Sequence, residues 1–325
     1  MKDVVELIRG ASRVTAICHE NPDGDTLGAG IAVAIAAERL GKASEVVCAD
    51  PPPPSLAFLP RVDRVRRAPM LEPDVAVLVD AAEVSRVGSI ATEHADWLAR
   101  SQLVNIDHHV SNPGFGVAQL VDADAAATCE LVALLLPELG VELDRELATV
   151  LMTGIVSDTH AFAHPNTTPR TLRVGAQLLE AGAPLSSINR SVYADRPYST
   201  LVLWGLMLAG MGERCEGRIV HATMTNEMLA AAGEQPTASE GFIDLLASTK
   251  AGDVAVLFKE VDATSTRVSV RTSERADAVA ITSAFGGGGH ARAAGCTLSV
   301  GVDAARELVL AECERELARA DARGR

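Results

Sequence analysis

The chain has 325 residues, of which 48% are hydrophobic, and a net charge of −14 from 29 basic and 43 acidic residues. This length favours two domains over one. The negative charge argues against binding of long nucleic acid, which normally needs a basic surface. It still allows a short nucleotide held by cations and a few arginines. Six scattered cysteines without a CxxC pair predict buried free thiols in a reducing compartment.

We expect neither a signal peptide nor a membrane-spanning segment in this sequence. The N-terminal stretch MKDVVELIRG is too acidic, and its apolar run too short, for a signal peptide. The longest apolar stretch, residues 201–211, falls well short of the roughly 20 residues needed to span a bilayer. We therefore expect a cytoplasmic protein without a membrane partner.

Short apolar runs alternate with longer alanine-rich segments in the first half of the chain. They predict strands at 14–18, 45–48, 75–79 and 103–106, and helices at 27–40, 127–139, 146–157 and 171–181. Strands that alternate with helices imply a parallel sheet with right-handed crossovers. Ligands bind such sheets outside the carboxyl ends of the strands, so side chains that follow different strands should converge there.

The polar stretch 189–197 ends in a proline and predicts a domain boundary, followed by a connecting helix at 201–211. Further on, the patterns predict strands at 218–224, 254–260 and 266–271 and helices at 277–285 and 304–317. The second part should therefore be a smaller α/β domain. We divide the chain into a domain over 1–190, a linker with its helix over 191–213 and a second domain over 214–325.

Four clusters of acidic and histidine residues stand out, and three of them follow predicted strands. They are residues 19–25 (His-Glu-Asn-Pro-Asp-Gly-Asp), Asp80, Asp107-His108-His109 and Asp158. Carboxylates and imidazoles without a thiolate suit Mn²⁺ or Mg²⁺ better than a structural zinc ion. The set can supply ligands for two ions, which is the usual apparatus for displacement at phosphorus.

Each feature also has an ordinary structural explanation when it is taken alone. Pro22-Asp23-Gly24 is a common turn sequence, and Asp80 could cap the next helix. The glycine run 286–289 is most often a flexible linker. The alternative is a backbone that approaches a phosphate or base, with its amides as donors. Gly28-x-Gly30 lacks the third glycine of a dinucleotide-binding fingerprint.

Together, the motifs resemble those of the DHH phosphoesterases. Asp107-His108-His109 is similar to the sequence that names the family, and residues 19–25 resemble its first motif. Residues 286–290 (Gly-Gly-Gly-Gly-His) and 293–295 (Ala-Ala-Gly) resemble the glycine-rich motif of the DHHA1 domain. The resemblance runs from about Thr15 to about Thr297. It is strongest to the oligoribonuclease and phosphoadenosine-phosphate phosphatase group, which also includes cyclic-dinucleotide phosphodiesterases.

The resemblance implies an α/β fold: an N-terminal parallel-sheet DHH domain, a smaller C-terminal α/β DHHA1 domain and an active-site cleft between them. It also implies two Mn²⁺ ions, with Mg²⁺ or Co²⁺ as possible substitutes. One ion would bind His19, Asp23 and Asp80, and the other Asp25, Asp80, His108 and Asp158. Asp80 would therefore bridge the two ions.

Further roles follow from the same resemblance. His109 would face the substrate phosphate as a catalytic residue, and Asp107 would orient a histidine ring. The substrate-binding residues would be Arg271, Gly287, Gly288, Gly289 and His290, with Arg292 as a weaker candidate. The family usually has glycine two residues after the aspartate of the fourth motif, where this chain has His160. That residue is either a bystander or one that narrows the substrate cleft.

We therefore expect hydrolysis of short oligoribonucleotides, including dinucleotides such as pApA, or of 3′-phosphoadenosine 5′-phosphate. Water activated between two metal ions would be the nucleophile. A cyclic di-AMP phosphodiesterase is the alternative. A non-catalytic nucleotide-sensing module is disfavoured because none of the expected metal ligands is missing. The family resemblance also implies a homodimer.

Overall fold

The structure is a computed structural model that describes residues 1–72 and 74–323. The chain divides into two compact units, Met1–Asp195 and Arg196–Arg325. The end of the predicted second domain, residues 324–325, lies outside the described residues. Across the described part of the chain, no helix combines the length and apolarity needed to cross a membrane. The predicted domain limits and the cleft between the domains stay predictions.

The first unit contains a five-stranded sheet in which every strand pair is parallel. Its strands are β1 (Arg13–Cys18), β2 (Ala43–Cys48), β3 (Val75–Val79), β4 (Gln102–Asp107) and β5 (Ala118–Val121). They are arranged in the order β2-β1-β3-β4-β5. The first four strands confirm the prediction; β5 was missed because it is short and only partly buried. In sheets of this order the ligand site lies where the winding reverses, between β1 and β3.

Helices cover both faces of this sheet. They are α1 (Lys2–Gly10), α2 (Gly24–Arg39), α3 (Ser89–Glu93), α4 (Ala95–Arg100), α5 (Thr128–Leu139), α6 (Arg145–Thr159), α7 (Pro169–Glu180) and α8 (Leu185–Asn189). Ala16 of β1 belongs to the core formed with α2, α5 and α6. Its neighbour Ile17 packs on the opposite face against residues of α3 and α4. Burial on both faces explains why the strands are continuous apolar runs.

Glycines allow α2, α5 and α6 to approach one another closely. A Cβ at Gly28 would lie 2.4 Å from the carbonyl oxygen of Val150. A Cβ at Gly154 would lie 2.3 Å from Cys129 Sγ and 2.6 Å from Asp25 Oδ1. The first glycine of the Gly28-x-Gly30 pair therefore serves helix packing, and Gly154 leaves the space that the Asp25 carboxylate occupies.

The second unit is built on a six-stranded mixed sheet in which only β7 and β8 pair in parallel. Its strands are β6 (Gly212–Arg214), β7 (Ile219–Met224), β8 (Val254–Asp262), β9 (Ser265–Thr272), β10 (Gly288–His290) and β11 (Ala293–Leu298), in the order β10-β11-β9-β8-β7-β6. Its helices are α9 (Tyr198–Ala209), α10 (Asn226–Ala232), α11 (Phe242–Ala247), α12 (Ala278–Thr282) and α13 (Val302–Arg323). One core contains residues of α12 and α13, and the other contains residues of α9, α10 and α11. The α/β class of the second domain is confirmed.

The glycine run 286–289 is part of a β-hairpin and is not a flexible linker. Residues of β10 pair antiparallel with β11, so the flexible-linker interpretation is wrong. A Cβ at Gly287 would lie 2.3 Å from the carbonyl oxygen of Gly295. Gly289 has a φ of +143°. A Cβ at this position would lie only 2.5 Å from the carbonyl oxygen of Ala293. These two glycines are required by close backbone contacts within a hairpin.

Candidate active site

The predicted metal ligands lie at the carboxyl edge of the parallel sheet. His19 follows β1 and Asp80 follows β3, on the two sides of the point where the winding reverses. Asp23 caps α2, because its carboxylate accepts hydrogen bonds from the backbone N–H groups of Asp25 and Thr26 at 2.9 and 3.1 Å. This cap directs Asp25, in the first turn of α2, towards the same edge.

The structure brings all six predicted ligands together. Three groups of side chains have potential ligand atoms within 4.8 Å of one another: His19, Asp23 and Asp80; Asp25, His108 and Asp158; and Asp80, His108 and His109. The first two groups match the two predicted ligand sets, apart from Asp80 in the second set. Asp80 belongs to the third group with His108, which connects the two sets.

Asp80 has a geometry suited to bridging two cations. Its Oδ2 lies 3.4 Å from His19 Nε2, and its Oδ1 lies 3.4 Å from His108 Nε2. The two oxygens therefore face different ligand groups. The backbone of Asp80 has a φ of +57°, which is uncommon for residues other than glycine. Its N–H donates to Ile106 O at 2.9 Å, which fixes this conformation on the neighbouring strand.

Both proposed histidine ligands have one ring nitrogen occupied by the backbone. His19 Nδ1 lies 2.7 Å from Glu20 O, and His108 Nδ1 lies 3.3 Å from Ala125 O. A carbonyl only accepts, so these contacts place the ring proton on Nδ1. Each Nε2 then faces the carboxylate cluster, and replacement of its proton by a metal ion would give the arrangement of a metal-binding histidine.

Asp107 orients His109. Its buried carboxylate accepts a hydrogen bond from His109 Nδ1 at 2.7 Å and another from Asn112 Nδ2 at 2.6 Å. The hydrogen bond to Asp107 raises the pKa of His109, although partial burial opposes it. The His109 side chain is 44% exposed, so its Nε2 end remains open to a ligand. The predicted division between an orienting aspartate and a phosphate-facing histidine is compatible with this geometry.

The cluster concentrates negative charge in a buried place. Burial and the charges of Asp158 and Asp80 raise the pKa of Asp25 well above its usual range. Burial, with the charges of Asp23 and Asp80, raises the pKa of Asp158 to about 6, against the hydrogen bond from His108. Burial lowers the pKa of His108, but its hydrogen bonds with Asp158 and Asp80 raise it to about 11. Such a site favours cations, and its oxygen and imidazole donors fit divalent metal ions.

Thr128, at the start of α5, is a further residue of the site and was not predicted from the sequence. Its N–H donates to Asp25 Oδ2 at 2.6 Å, and the N–H of Cys129 donates to Asp25 Oδ1 at 2.8 Å. The hydroxyl of Thr128 donates to Asp80 Oδ1 at 3.1 Å. Ala127 occupies the N-cap position without a side-chain cap, so Asp25 takes that role for α5. A threonine at a helix start gives no signal of such long-range contacts.

A buried glutamate supports the His108 side of the cluster, and it was also missed. Glu130 accepts hydrogen bonds from Arg170 Nε, from the hydroxyl of Thr171 at 2.7 Å and from the N–H of Ala126 at 3.1 Å. These contacts fix the segment before α5, whose Ala125 carbonyl faces His108. Glu130 is fully buried, so it needs all of these partners.

The second unit carries a groove of about 450 Å³ on the open face of β9 and β11. The described lining is Arg267, Val268, Ser269, Arg271, Gly288, Ala293, Ala294, Gly295, Cys296 and Thr297. It contains Arg271 and Gly288 of the predicted binding residues. Gly287 and Gly289 support the hairpin instead, and His290 lies exposed at the end of β10.

Two arginines near this groove have protein partners. Arg271 Nε donates to Asp244 Oδ1 at 3.0 Å, an ion pair that is partly exposed. Arg292 donates to the carbonyl oxygens of Ser273 and, at 2.6 Å, of Ala276. Arg292 therefore anchors the segment before α12, which explains its presence without a ligand.

Carboxylates and imidazoles grouped around Asp80, at the switch point of a parallel sheet, form a candidate divalent-metal site of the kind that phosphoester hydrolases use. Comparison with known proteins agrees. The DHH family N-terminal domain matches residues 13–155, and the DHHA1 domain matches residues 217–318. The chain belongs to the DHH family, as a member with a DHHA1 domain.

Two relatives with the same name match almost the whole chain. The chain is 35% identical, over 98% of its length and 95% of the relative, to the bifunctional oligoribonuclease and PAP phosphatase NrnA of Thermus thermophilus. It is 24% identical to the protein of the same name from Bacillus subtilis, over 90% of this chain and 92% of that one. An exopolyphosphatase-related protein from Bacteroides fragilis has the same fold, with a TM-score of 0.90, 20% identity and coverage of 98% and 97%.

Proposed function

We propose that this protein is a Mn²⁺-dependent phosphoesterase acting on short oligoribonucleotides, including dinucleotides such as pApA, and on 3′-phosphoadenosine 5′-phosphate. The observation that carries the proposal is the set of ligand groups connected through Asp80. The substrate class is supported by the Thermus thermophilus relative, which is named for oligoribonuclease and PAP phosphatase activities. The net charge of −14 agrees with a short substrate held at a cationic centre.

Two divalent cations, when bound, would supply the charge that lowers the pKa of a water molecule and offsets negative charge at phosphorus. One would be held by His19, Asp23 and Asp80. The ligands of the other would be Asp25, Asp80, His108 and Asp158. Imidazoles beside carboxylates favour Mn²⁺, with Mg²⁺ or Co²⁺ as substitutes.

His109 is the residue of this chain best placed for proton transfer. Its Nδ1–H is directed to Asp107, which fixes the ring and leaves the Nε2 end for the substrate. Because Asp107 raises its pKa, the imidazolium form is more populated near neutral pH. A protonated Nε2 could donate to a phosphate oxygen or to the leaving oxygen.

Arg271 and its groove would contribute substrate binding. A guanidinium recognises phosphate through charge-assisted hydrogen bonds. The floor of the groove is formed by small residues such as Ser269, Ala293 and Gly295, which leave room for a nucleotide. His290 at the end of the neighbouring strand would add a further donor.

A substrate panel tests the proposal. The purified protein with Mn²⁺ would be given pApA, a ribopentanucleotide, 3′-phosphoadenosine 5′-phosphate and cyclic di-AMP. We expect mononucleotide from the first two and phosphate from the third, with all three activities lost in Asp80→Asn. A preference for cyclic di-AMP would favour the alternative phosphodiesterase. Nucleotide binding without turnover of any substrate would indicate a sensing module and contradict the proposal.

We further propose that the protein acts in the cytoplasm, which its free cysteines support, and that it is a homodimer, as the family resemblance implies. Light scattering on the eluting protein would measure its mass in solution. The mass of a single chain across micromolar concentrations would contradict the dimer.

A further inference from the structure

The turn after Asp158 has an unusual backbone. His160, Ala161 and Phe162 have φ values of 47°, 55° and 68°, three consecutive side-chain-bearing residues in the left-handed region. L-residues avoid this region because Cβ approaches the following carbonyl oxygen. Conformations of this kind persist where surrounding contacts enforce them, and they cluster at functional sites.

Several hydrogen bonds hold this turn to the segment that carries Asp158. The N–H of Phe162 donates to the hydroxyl of Thr159 at 2.8 Å, and the N–H of His164 donates to Thr159 O at 2.8 Å. The side-chain amide of Asn166 donates to Asp158 O at 3.2 Å and to Ala126 O at 3.1 Å. The turn is therefore attached to the end of α6 and to the segment before α5, on both sides of a metal-ligand group.

The turn presents a row of rings. The imidazole of His160 stacks on that of His164, with centroids 5.2 Å apart and planes 13° apart. Its centroid also lies 4.4 Å from the Tyr193 ring, tilted by 53°. The Tyr193 hydroxyl lies 2.8 Å from Val156 O and 2.9 Å from Ser157 O, which fixes the row beside Asp158.

The imidazole rings of His160 and His164 contribute little to the stability of the fold. Both histidines are exposed, so they contribute little to the core. Among the described residues, the groups that could hold a metal ion contain neither of them. Aromatic residues make up only 3% of the chain, and Tyr193 is one of only two tyrosines, so three neighbouring rings at this place are conspicuous.

We propose that His160 and His164 form a stacking surface for a nucleobase of the substrate. The inference rests on the proposed function, because it needs a nucleotide whose phosphate lies at the adjacent carboxylates. Unstacked bases bind on the faces of aromatic and histidine rings, and this contact tolerates any base because every base has a π-face. Single-base stacking on exposed rings suits an enzyme that acts on short strands of mixed sequence. His160 and His164 would then contact the substrate directly and contribute to binding rather than to chemistry.

The test distinguishes the effect of losing the imidazole ring from the effect of changing the left-handed backbone of the turn. His160→Asn removes the ring but keeps a residue that tolerates the left-handed conformation, whereas His160→Phe keeps a ring. His164→Ala removes the second ring outside the stretch of left-handed residues. Each variant would be assayed with diadenylate and with two analogues in which one or the other nucleotide lacks its base. Thermal midpoints would confirm that the variants are folded.

We expect the wild-type protein to prefer intact diadenylate to one of the abasic analogues. In His160→Asn and His164→Ala this preference should fall by about five- to hundredfold, the range for one stacked base, mainly through KM. The abasic analogue should be hydrolysed at the wild-type rate, and His160→Phe should retain the preference. Equal losses on intact and abasic substrates would show that the rings only shape the turn, and would overturn the inference while the proposed function stands. Failure of the wild-type protein on every nucleotide would refute the proposed function, and the inference with it.

Discussion

The hydroxyl of Thr128 donates a hydrogen bond to Asp80 Oδ1 at 3.1 Å, on the side of the carboxylate that faces His108. The backbone N–H of the same residue donates to Asp25. One fully buried residue at the start of α5 therefore orients carboxylates from two different ligand groups. Hydrogen bonds of this kind fix the direction in which a carboxylate offers its remaining lone pairs.

Removing the Thr128 hydroxyl should weaken metal binding. Thr128→Val keeps the shape of the side chain, leaves Asp80 Oδ1 without this donor and should lower Mn²⁺ affinity by about ten- to hundredfold. Thr128→Ser should stay near the wild-type affinity. Calorimetric titration of the EDTA-treated protein measures both.

Thr153→Val is the matched control for this experiment. Thr153 is equally buried, but its hydroxyl donates to the backbone oxygen of Thr149 at 2.9 Å. Its loss should leave Mn²⁺ affinity unchanged. Wild-type affinity in Thr128→Val would refute the orienting role.

Loss of the Asp80 charge should abolish hydrolysis while the fold survives. Asparagine is a better replacement than alanine, because it tolerates the φ of +57° at this position. With Asp80 as a ligand of both cations, Asp80→Asn should lower kcat by more than about a hundredfold even at saturating Mn²⁺. Circular dichroism would verify folding, and near wild-type turnover would rule out bridging.

Removal of the metal ions should abolish hydrolysis. The preference of the enzyme for one metal over another should depend on the chemistry of the ligands. His19 and His108 lie beside carboxylates, so Mn²⁺ should restore the EDTA-treated protein more effectively than Mg²⁺, which prefers oxygen ligands and retains its waters. Initial rates on pApA against the concentration of each metal decide this. Full activity in EDTA, or restoration by Ca²⁺ alone, would contradict the proposal.

The metal-free protein should lose stability steadily as the pH rises from about 6.5 towards about 11. Although burial opposes its charge, hydrogen bonds with Asp158 and Asp80 raise the pKa of His108 to about 11. An unfolded histidine titrates near about 6.5. Its stabilising contribution is complete below that unfolded value and is lost as the pH rises through the folded one.

Thermal midpoints of the EDTA-treated protein measure this loss. The midpoint should fall as the pH rises over this range, and His108→Gln should flatten the decline. His94→Gln, at a histidine between α3 and α4, should leave the slope unchanged. An equal slope in His108→Gln and wild type would show that another group controls it.

The elements that the sequence predicted well are those whose signal is local. The strand before Asp80 consists of five buried apolar residues. Strand β4 has a short apolar run that leads directly into Asp107-His108-His109. Their shared edge then follows from parallel topology alone. Convergence of the clusters after β1, β3 and β4 could therefore be predicted without coordinates, whereas Asp158 ends α6 and was placed with them by the family resemblance.

What the sequence could not supply depends on contacts across long separations. Thr128 lies 103 positions from Asp25, and no spacing rule connects them. The edge strand β10 was missed because four glycines, residues 286–289, form or directly precede it, and glycine is depleted in strands. The partners of Arg271 and Arg292 likewise come from folding, since an arginine in a sequence does not reveal which carboxylate or carbonyl it contacts.

Arg271 and His290 should act on recognition rather than chemistry. Both belong to the second unit, whereas every predicted metal ligand belongs to the first. A charge-assisted contact to phosphate is worth about 1.5–3 kcal/mol, or about a ten- to hundredfold loss of kcat/KM. We expect Arg271→Ala and His290→Ala to lose that much on pApA. The activity of both variants on bis-p-nitrophenyl phosphate should be almost unchanged, because this substrate has no second nucleotide to bind. Asp80→Asn should lose activity on both substrates.

Arg214→Ala is the control for these recognition variants. Arg214 is a partly exposed arginine at the opposite edge of the same sheet, and it pairs with Glu307 at 3.3 Å much as Arg271 pairs with Asp244. Its loss should change neither activity, because it lies on β6, away from β9 and β11. Mn²⁺ affinity should stay at the wild-type value in all three variants. Equal losses on the two substrates would assign Arg271 and His290 to the catalytic machinery or to folding, and the proposed division of labour between the domains would be wrong.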